Sequence, residues 1–203
     1  MRIGIVFRGI TTGRSPTQRK DWTLAKDNIK ENLIGAFANP SIYFTTYEHE
    51  VLPEVINFYK PKHVQLIDYQ TSDQRKTLWH SLKQVVNEDL DFIIIGRFDI
   101  EFKKKITDFN INYNKFNIIF RETEPYWSQN KYVSDTFFAF PKMFLQYFIE
   151  SVHDEIQQPE RRYSDMHAAY KRLYPKIGRE NIHFMVDGTH RSDVNDFFEI
   201  KRL

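Results

Sequence analysis

Residues 91–102, which read DFIIIGRFDIEF, constrain the fold of this chain more than any other stretch. Their first half is an almost unbroken run of β-branched and aromatic residues, which is typical of a strand buried on both faces of a sheet. Charged side chains are almost never left fully buried unless they are paired. We therefore expect the strand to reach the surface at its carboxyl end, where open α/β sheets form their ligand crevices.

The end of this stretch predicts a metal site. Asp99 and Glu101 are two residues apart. Because side chains alternate along an extended chain, both carboxylates should point to the same side. Carboxylate oxygens are ligands that Mg²⁺ and Mn²⁺ prefer, often together with a substrate diphosphate. The alternative is a strand end whose acids pair with the lysines at 103–105.

Composition narrows the class of protein. The 203 residues fit a single domain, which we place at 1–203. The chain has no cysteine, which excludes disulfides, zinc–thiolate sites, iron–sulfur clusters and a thiol nucleophile. With 29 basic and 27 acidic residues the charge is too even to indicate nucleic acid or a membrane surface. We expect no nucleic-acid partner.

The N-terminal apolar run ends at Arg8, too early for a signal peptide. No stretch approaches the roughly 18 apolar residues that a membrane span needs. We therefore predict a cytoplasmic protein without a transmembrane segment.

Hydrophobic periodicity predicts alternating strands and helices. Predicted strands lie at 2–7, 41–47, 63–69, 91–98, 116–120, 133–140, 182–186 and 197–202. Predicted helices lie at about 16–38, 52–59, 73–86, 141–153 and 163–174. This order predicts an α/β fold, with a mixed, mostly parallel central sheet flanked by helices.

The loop after the first strand, RGITTGR at 8–14, combines glycines, hydroxyls and cations. Such a loop between a strand and a helix can present backbone N–H groups and positive charge to a nucleotide. It matches neither the dinucleotide-binding glycine motif nor a Walker A loop. Arg8, Gly9 and Arg14 are the candidate nucleotide contacts, and an ordinary strand-to-helix loop is the alternative.

Four stretches together resemble small GT-A-type glycosyltransferases, in particular viral and bacterial sugar-transferase-like proteins. These stretches are 3–9, 44–47, 90–100 and 134–141. The resemblance implies one GT-A-like domain with a nucleotide-binding half at 1–100 and an acceptor-binding half at 101–203. It implies an enzyme of glycan biosynthesis that moves a hexose or pentose from a UDP- or GDP-sugar to a glycan or another hydroxyl acceptor.

The resemblance also implies a metal-assisted donor site. Asp99 would hold Mn²⁺ or Mg²⁺ on the diphosphate, with Glu101 in place of the second aspartate of the family motif. His190 would be a further ligand, although an exposed loop histidine is the alternative. Arg97 could instead contact the diphosphate itself, and Arg8 and Arg14 could add charge-assisted bonds to the phosphates.

The acceptor side of such an enzyme needs a base if the anomeric configuration is inverted. Asp135 is the candidate base or acceptor-positioning group, although an aspartate at a strand start often makes only a turn bond. Glu122 and Glu124 are weaker candidates. Tyr126 and Trp127 would contact the apolar face of a sugar, or else serve in the core or a lid.

Two other functions stay open on the sequence alone: a nucleotidyltransferase, and a nucleotide- or glycan-binding module without turnover. Replacing Asp99 with asparagine is expected to abolish glycosyl transfer with little change in stability, since only a metal ligand would be lost.

Overall fold

The computed structural model describes residues 1–9, 22–157, 166–191 and 195–201. The first strands are β1 (Ile3–Arg8), β2 (Ser41–Thr46), β3 (His63–Leu66), β4 (Phe92–Arg97), β5 (Ile100–Phe102) and β6 (Phe116–Ile118). They are followed by β7 (Arg121–Glu122), β8 (Phe138–Pro141), β9 (Ile182–Phe184), β10 (Thr189–His190) and β11 (Phe198–Ile200). The helices are α1 (Thr23–Asn28), α2 (Leu52–Tyr59), α3 (Gln74–Lys83), α4 (Tyr126–Asn130), α5 (Leu145–Ile156) and α6 (Ala169–Ile177).

Seven strands form the central sheet in the order β3-β2-β1-β4-β8-β6-β9. Only β8 runs against both of its neighbours; the other pairings in this sheet are parallel. The predicted mixed, mostly parallel α/β sheet is therefore confirmed. Two small pairs, β7 with β10 and β5 with β11, stand beside it. No helix within the described ranges is long and apolar enough to cross a membrane.

Most predicted elements form close to their predicted bounds, and β4 matches the strand predicted at 91–98. The extended chain assumed through Asp99 and Glu101 is interrupted, because a turn at Phe98 and Asp99 separates β4 from β5. The short elements β5, β7, β10 and α4 were not predicted. The strand predicted at 133–140 begins only at Phe138. The start of the helix predicted at 16–38 and the start of the one at 163–174 lie outside the described residues.

The sheet separates two hydrophobic cores, because alternate residues of its central strands face opposite sides. Phe7 and Ile94 pack on the side of α1 and α2. Val6, Ile93 and Ile95 pack on the side of α3 and α5. Every residue of β1 is buried, which is why this strand reads as a continuous apolar run.

The amide of Asn28 fixes the strand that follows the turn at Asp99. Its Nδ2 donates to the backbone oxygen of Phe102 at 2.8 Å, and its Oδ1 accepts from the backbone nitrogen of Phe102 at 2.7 Å. Asn28 lies where α1 continues into a π-helical turn, Ile29–Ile34. The helix layer therefore holds β5 in place after the turn that ends β4.

Two buried tyrosines give a test of the core. The Tyr59 hydroxyl is buried and has no hydrogen-bond partner within the described part of the chain, and burial raises the pKa of Tyr59. Removing an unsatisfied buried hydroxyl relieves a desolvation penalty, so Tyr59→Phe should raise the free energy of unfolding by about 1 kcal/mol. Urea unfolding of the variant measures this.

Tyr43→Phe is the matched control, because the Tyr43 hydroxyl donates to Glu88 Oε2 at 2.8 Å. Losing a bond to a carboxylate should lower the free energy of unfolding by about 1–2 kcal/mol. Equal losses in the two variants would contradict the absence of a partner for Tyr59.

Candidate functional site

Two arginines lie side by side at the carboxyl end of the sheet. Arg8 ends β1 and Arg97 ends β4, and the two are register partners in the parallel pairing of these strands. Parallel partners direct their side chains to the same face. Arg8 is only 3% exposed, and the Arg97 side chain is 11% exposed. Two neighbouring buried cations require nearby acids.

Asp99 supplies the first acid. Its two carboxylate oxygens accept from Nε and Nη2 of Arg97 at 2.8 and 2.7 Å, a bidentate and nearly buried ion pair. Burial by itself lowers the pKa of Arg97, but the Asp99 carboxylate more than offsets this, so the pKa is raised. The backbone nitrogen of Lys201 donates to the backbone oxygen of Asp99 at 2.8 Å and holds the turn in place.

Arg8 is bound less completely. Its Nη2 donates to the backbone oxygen of Asp135 at 2.6 Å. Its Nε is buried and has no hydrogen-bond partner within the residues that the structure describes. Burial lowers the pKa of Arg8 to about 10. The Arg97 cation also lowers this pKa, whereas the Asp135 carboxylate raises it. Arg8 is therefore still a cation at neutral pH, with one donor unused.

Asp135 is the second acid and is 4% exposed. Burial raises the pKa of its carboxyl group, but His167, Arg97 and Arg8 together lower it below the ordinary value. Asp135 is consequently ionised near neutral pH. It lies in the chain segment that leads into β8, which brings it to the arginine pair.

His167 connects Asp135 to a third acid, Glu122. Its Nδ1 lies 2.7 Å from the backbone oxygen of Val133 and 3.5 Å from Glu122 Oε1. A carbonyl oxygen only accepts, so Nδ1 carries a proton and donates it to Val133.

The three residues predicted to bind a metal do not meet. Among the described residues there is no group of three or more histidine, aspartate or glutamate side chains that could hold a metal ion. Glu101 pairs with Lys201 at 2.5 Å, across the β5–β11 ladder. His190 Nε2 lies 2.8 Å from the backbone oxygen of Asp187.

The other predicted contacts are distributed as follows. Gly9 has φ +100°, in the region that favours glycine, and follows Arg8 directly. Arg14 lies outside the described residues. Trp127 is partly buried and packs against one of the cores, with the ring centroids of Tyr170 and Phe184 5.3 and 5.7 Å away. Tyr126 is 54% exposed. The nucleotide-sugar roles of all these residues stay predictions.

Sequence reasoning missed His167 and ranked Glu122 low. No motif or spacing marks either of them, because β7 and the segment before α6 approach each other only in the folded chain. The weak signal for Glu122 was its place in a loop rich in polar and aromatic side chains.

Comparisons with known proteins support the fold alone. No family model and no curated protein matches the chain. Among solved structures it is similar to the nucleoside-diphosphate-sugar pyrophosphorylase from Vibrio cholerae RC9, with a TM-score of 0.56 and 14% sequence identity. The match covers 89% of this chain and 90% of that one.

The buried ion pair changes the expected effect of Asp99→Asn. This substitution leaves the Arg97 cation buried without its counterion, so the free energy of unfolding should fall by about 3–5 kcal/mol. The small stability change expected from the sequence assumed a metal ligand at the surface. Chemical unfolding of the purified variant measures the loss.

Glu101→Gln serves as the control, since Glu101 belongs to a partly exposed pair with Lys201. Its free energy of unfolding should change by less than about 1 kcal/mol. Equal losses of stability in the two variants would contradict the contribution to stability assigned to the Arg97–Asp99 pair.

Proposed function

We propose that this protein is a glycosyltransferase that moves a hexosyl or pentosyl group from a nucleoside-diphosphate sugar to a hydroxyl group of a glycan. The observation that carries this proposal is the pair of buried arginines, Arg8 and Arg97, beside the ionised Asp135. A nucleotide sugar leaves as a nucleoside diphosphate, so the reaction needs fixed positive charge where that leaving group develops its charge.

The unpaired donor of Arg8 supports an anion at this position. A buried N–H without a partner costs stability, and an oxygen of a bound diphosphate would satisfy it. Arg97 keeps its orientation through Asp99, so its remaining N–H groups are positioned before the donor arrives. The carboxyl ends of the parallel strands are also where open α/β sheets bind ligands.

The residues expected to hold Mn²⁺ or Mg²⁺ do not fit a three-ligand site. Both oxygens of Asp99 accept from Arg97, Glu101 pairs with Lys201, and His190 Nε2 lies against a backbone carbonyl. We therefore propose that the two arginines supply the positive charge on the diphosphate.

For an inverting transfer, the chemistry divides between the arginines and Asp135. The Asp135 carboxylate accepts the proton of the acceptor hydroxyl, whose oxygen forms a bond to the anomeric carbon. The bond between that carbon and the diphosphate oxygen breaks, and its electron pair goes to the diphosphate beside Arg8 and Arg97. The bound anion offsets the arginine charges, which raises the pKa of Asp135 and makes it a better base.

A nucleotidyltransferase is the second candidate, because the similar solved structure is named as a pyrophosphorylase. That reaction uses a phosphate oxygen that is already anionic as its nucleophile and needs no base. The cluster of Asp135, His167 and Glu122 therefore favours transfer to a neutral hydroxyl group. The loop at 8–14 also lacks a lysine.

Thermal shift with UDP-, GDP-, dTDP- and CMP-sugars, each with Mn²⁺ and with EDTA, tests donor binding. At about 100 times its dissociation constant, one nucleotide class should raise Tm by roughly 5–10 °C. The shift should persist in EDTA, because the arginines bind the diphosphate. A shift that requires Mn²⁺ would contradict the arginine mechanism, and no shift with any donor would contradict the proposed function.

The Asp135→Asn variant distinguishes glycosyl transfer from nucleotidyl transfer. Loss of a general base should lower glycosyl transfer by about 10²–10⁴-fold while the donor-induced Tm shift remains. Asp108→Asn is the control, because Asp108 is exposed. It should leave both glycosyl transfer and the donor-induced Tm shift unchanged. Release of pyrophosphate from a nucleoside triphosphate and a sugar 1-phosphate, without any glycosyl transfer, would instead establish the nucleotidyltransferase.

A further inference from the structure

Three aromatic rings form a row that leads from solvent towards the buried acids. The rings of Tyr126 and Tyr132 are parallel within 4°, with centroids 6.3 Å apart. Those of Tyr132 and His167 are inclined by 27°, with centroids 6.1 Å apart. Exposure falls along the row, from 54% for Tyr126 to 25% for the His167 side chain and 11% for that of Glu122.

Backbone hydrogen bonds hold this row in position. The backbone nitrogen of Glu122 donates to the oxygen of Tyr132 at 3.0 Å. The backbone nitrogen of Val133 donates to the oxygen of His167 at 3.0 Å, and His167 Nδ1 donates to the Val133 oxygen at 2.7 Å. The rings are thus largely organised before a ligand binds, which reduces the entropy cost of binding.

Core packing does not account for the two tyrosines of the row. Neither hydrophobic core contains Tyr126 or Tyr132 among its described members, although the neighbouring Trp127 packs against one of them. Parallel planar rings at the surface are suited to a ligand with a flat apolar face. The carboxylates at the inner end add hydrogen-bond acceptors.

A pyranose ring matches both features, since its C–H face packs on aromatic rings and its hydroxyl groups donate to carboxylates. We propose that Tyr126, Tyr132, His167 and Glu122 form the subsite that binds a sugar ring of the glycan acceptor, and that the row brings one of its hydroxyl groups to Asp135. This inference rests on the proposed function, because it assigns the acceptor subsite of the same reaction.

Direct binding is measured first, by saturation-transfer NMR with the methyl glycosides of glucose, galactose, mannose, N-acetylglucosamine and xylose. At least one glycoside should receive saturation at its ring C–H protons from the wild-type protein. Tyr132→Ala and Tyr126→Ala should each weaken this binding by about tenfold. Tyr132→Phe, which retains the ring, should bind like the wild type.

Tyr147→Ala is the matched control, because Tyr147 is a 44% exposed tyrosine on α5 outside the row. It should bind glycosides as the wild type does. Wild-type affinity in both Tyr126→Ala and Tyr132→Ala would overturn the proposal. Tyr126 is largely exposed, so its variant gives a usable answer even if Tyr132→Ala fails to fold.

Kinetics with the identified donor then separate this inference from the proposed function. Tyr132→Ala should raise KM for the glycoside acceptor by about tenfold, with hydrolysis of the donor by water and the donor-induced Tm shift unchanged. Donor binding and hydrolysis without glycoside binding would overturn the acceptor subsite and leave the proposed function standing. Glycoside binding without any donor binding would overturn the proposed function and support the subsite as a carbohydrate site.

Discussion

The side-by-side position of Arg8 and Arg97 is the constraint on which the rest of the site depends. Parallel pairing of β1 with β4 places both side chains on one face of the sheet, at its carboxyl end. The pairing fixes the backbone positions of the two arginines next to each other. The turn that carries Asp99 and the segment that carries Asp135 supply the opposite charges that make this arrangement possible.

The fold does not need two adjacent buried arginines for its stability. Buried ion pairs often add nothing compared with apolar side chains of the same volume, because desolvation opposes the Coulomb attraction. Both six-residue strands are otherwise apolar, and an apolar sixth residue in each would have extended the core. Two arginines at equivalent ends of neighbouring strands therefore point to an anionic ligand, which is the basis of the donor site proposed above.

The sequence predicted the framework well because its signals are local. The order of strands and helices and the burial of β1 and β4 follow from neighbouring residues. The same local reasoning misled at Glu101. An alternation rule holds only within one strand, and the turn at Phe98 and Asp99 ends β4 before the second acid.

By itself the sequence determined an α/β chain whose central strand ends in charged groups, which we expected at the surface. The structure instead buries Arg97 and Asp99 as an ion pair. Only the tertiary structure decided which charges meet there. Arg8 and Asp135 are 127 positions apart, and the reversed strand β8 brings them together. Glu122 and His167 meet because β7 and the segment before α6 flank the same stretch of chain. Such contacts depend on strand order and direction, which residue spacing does not encode.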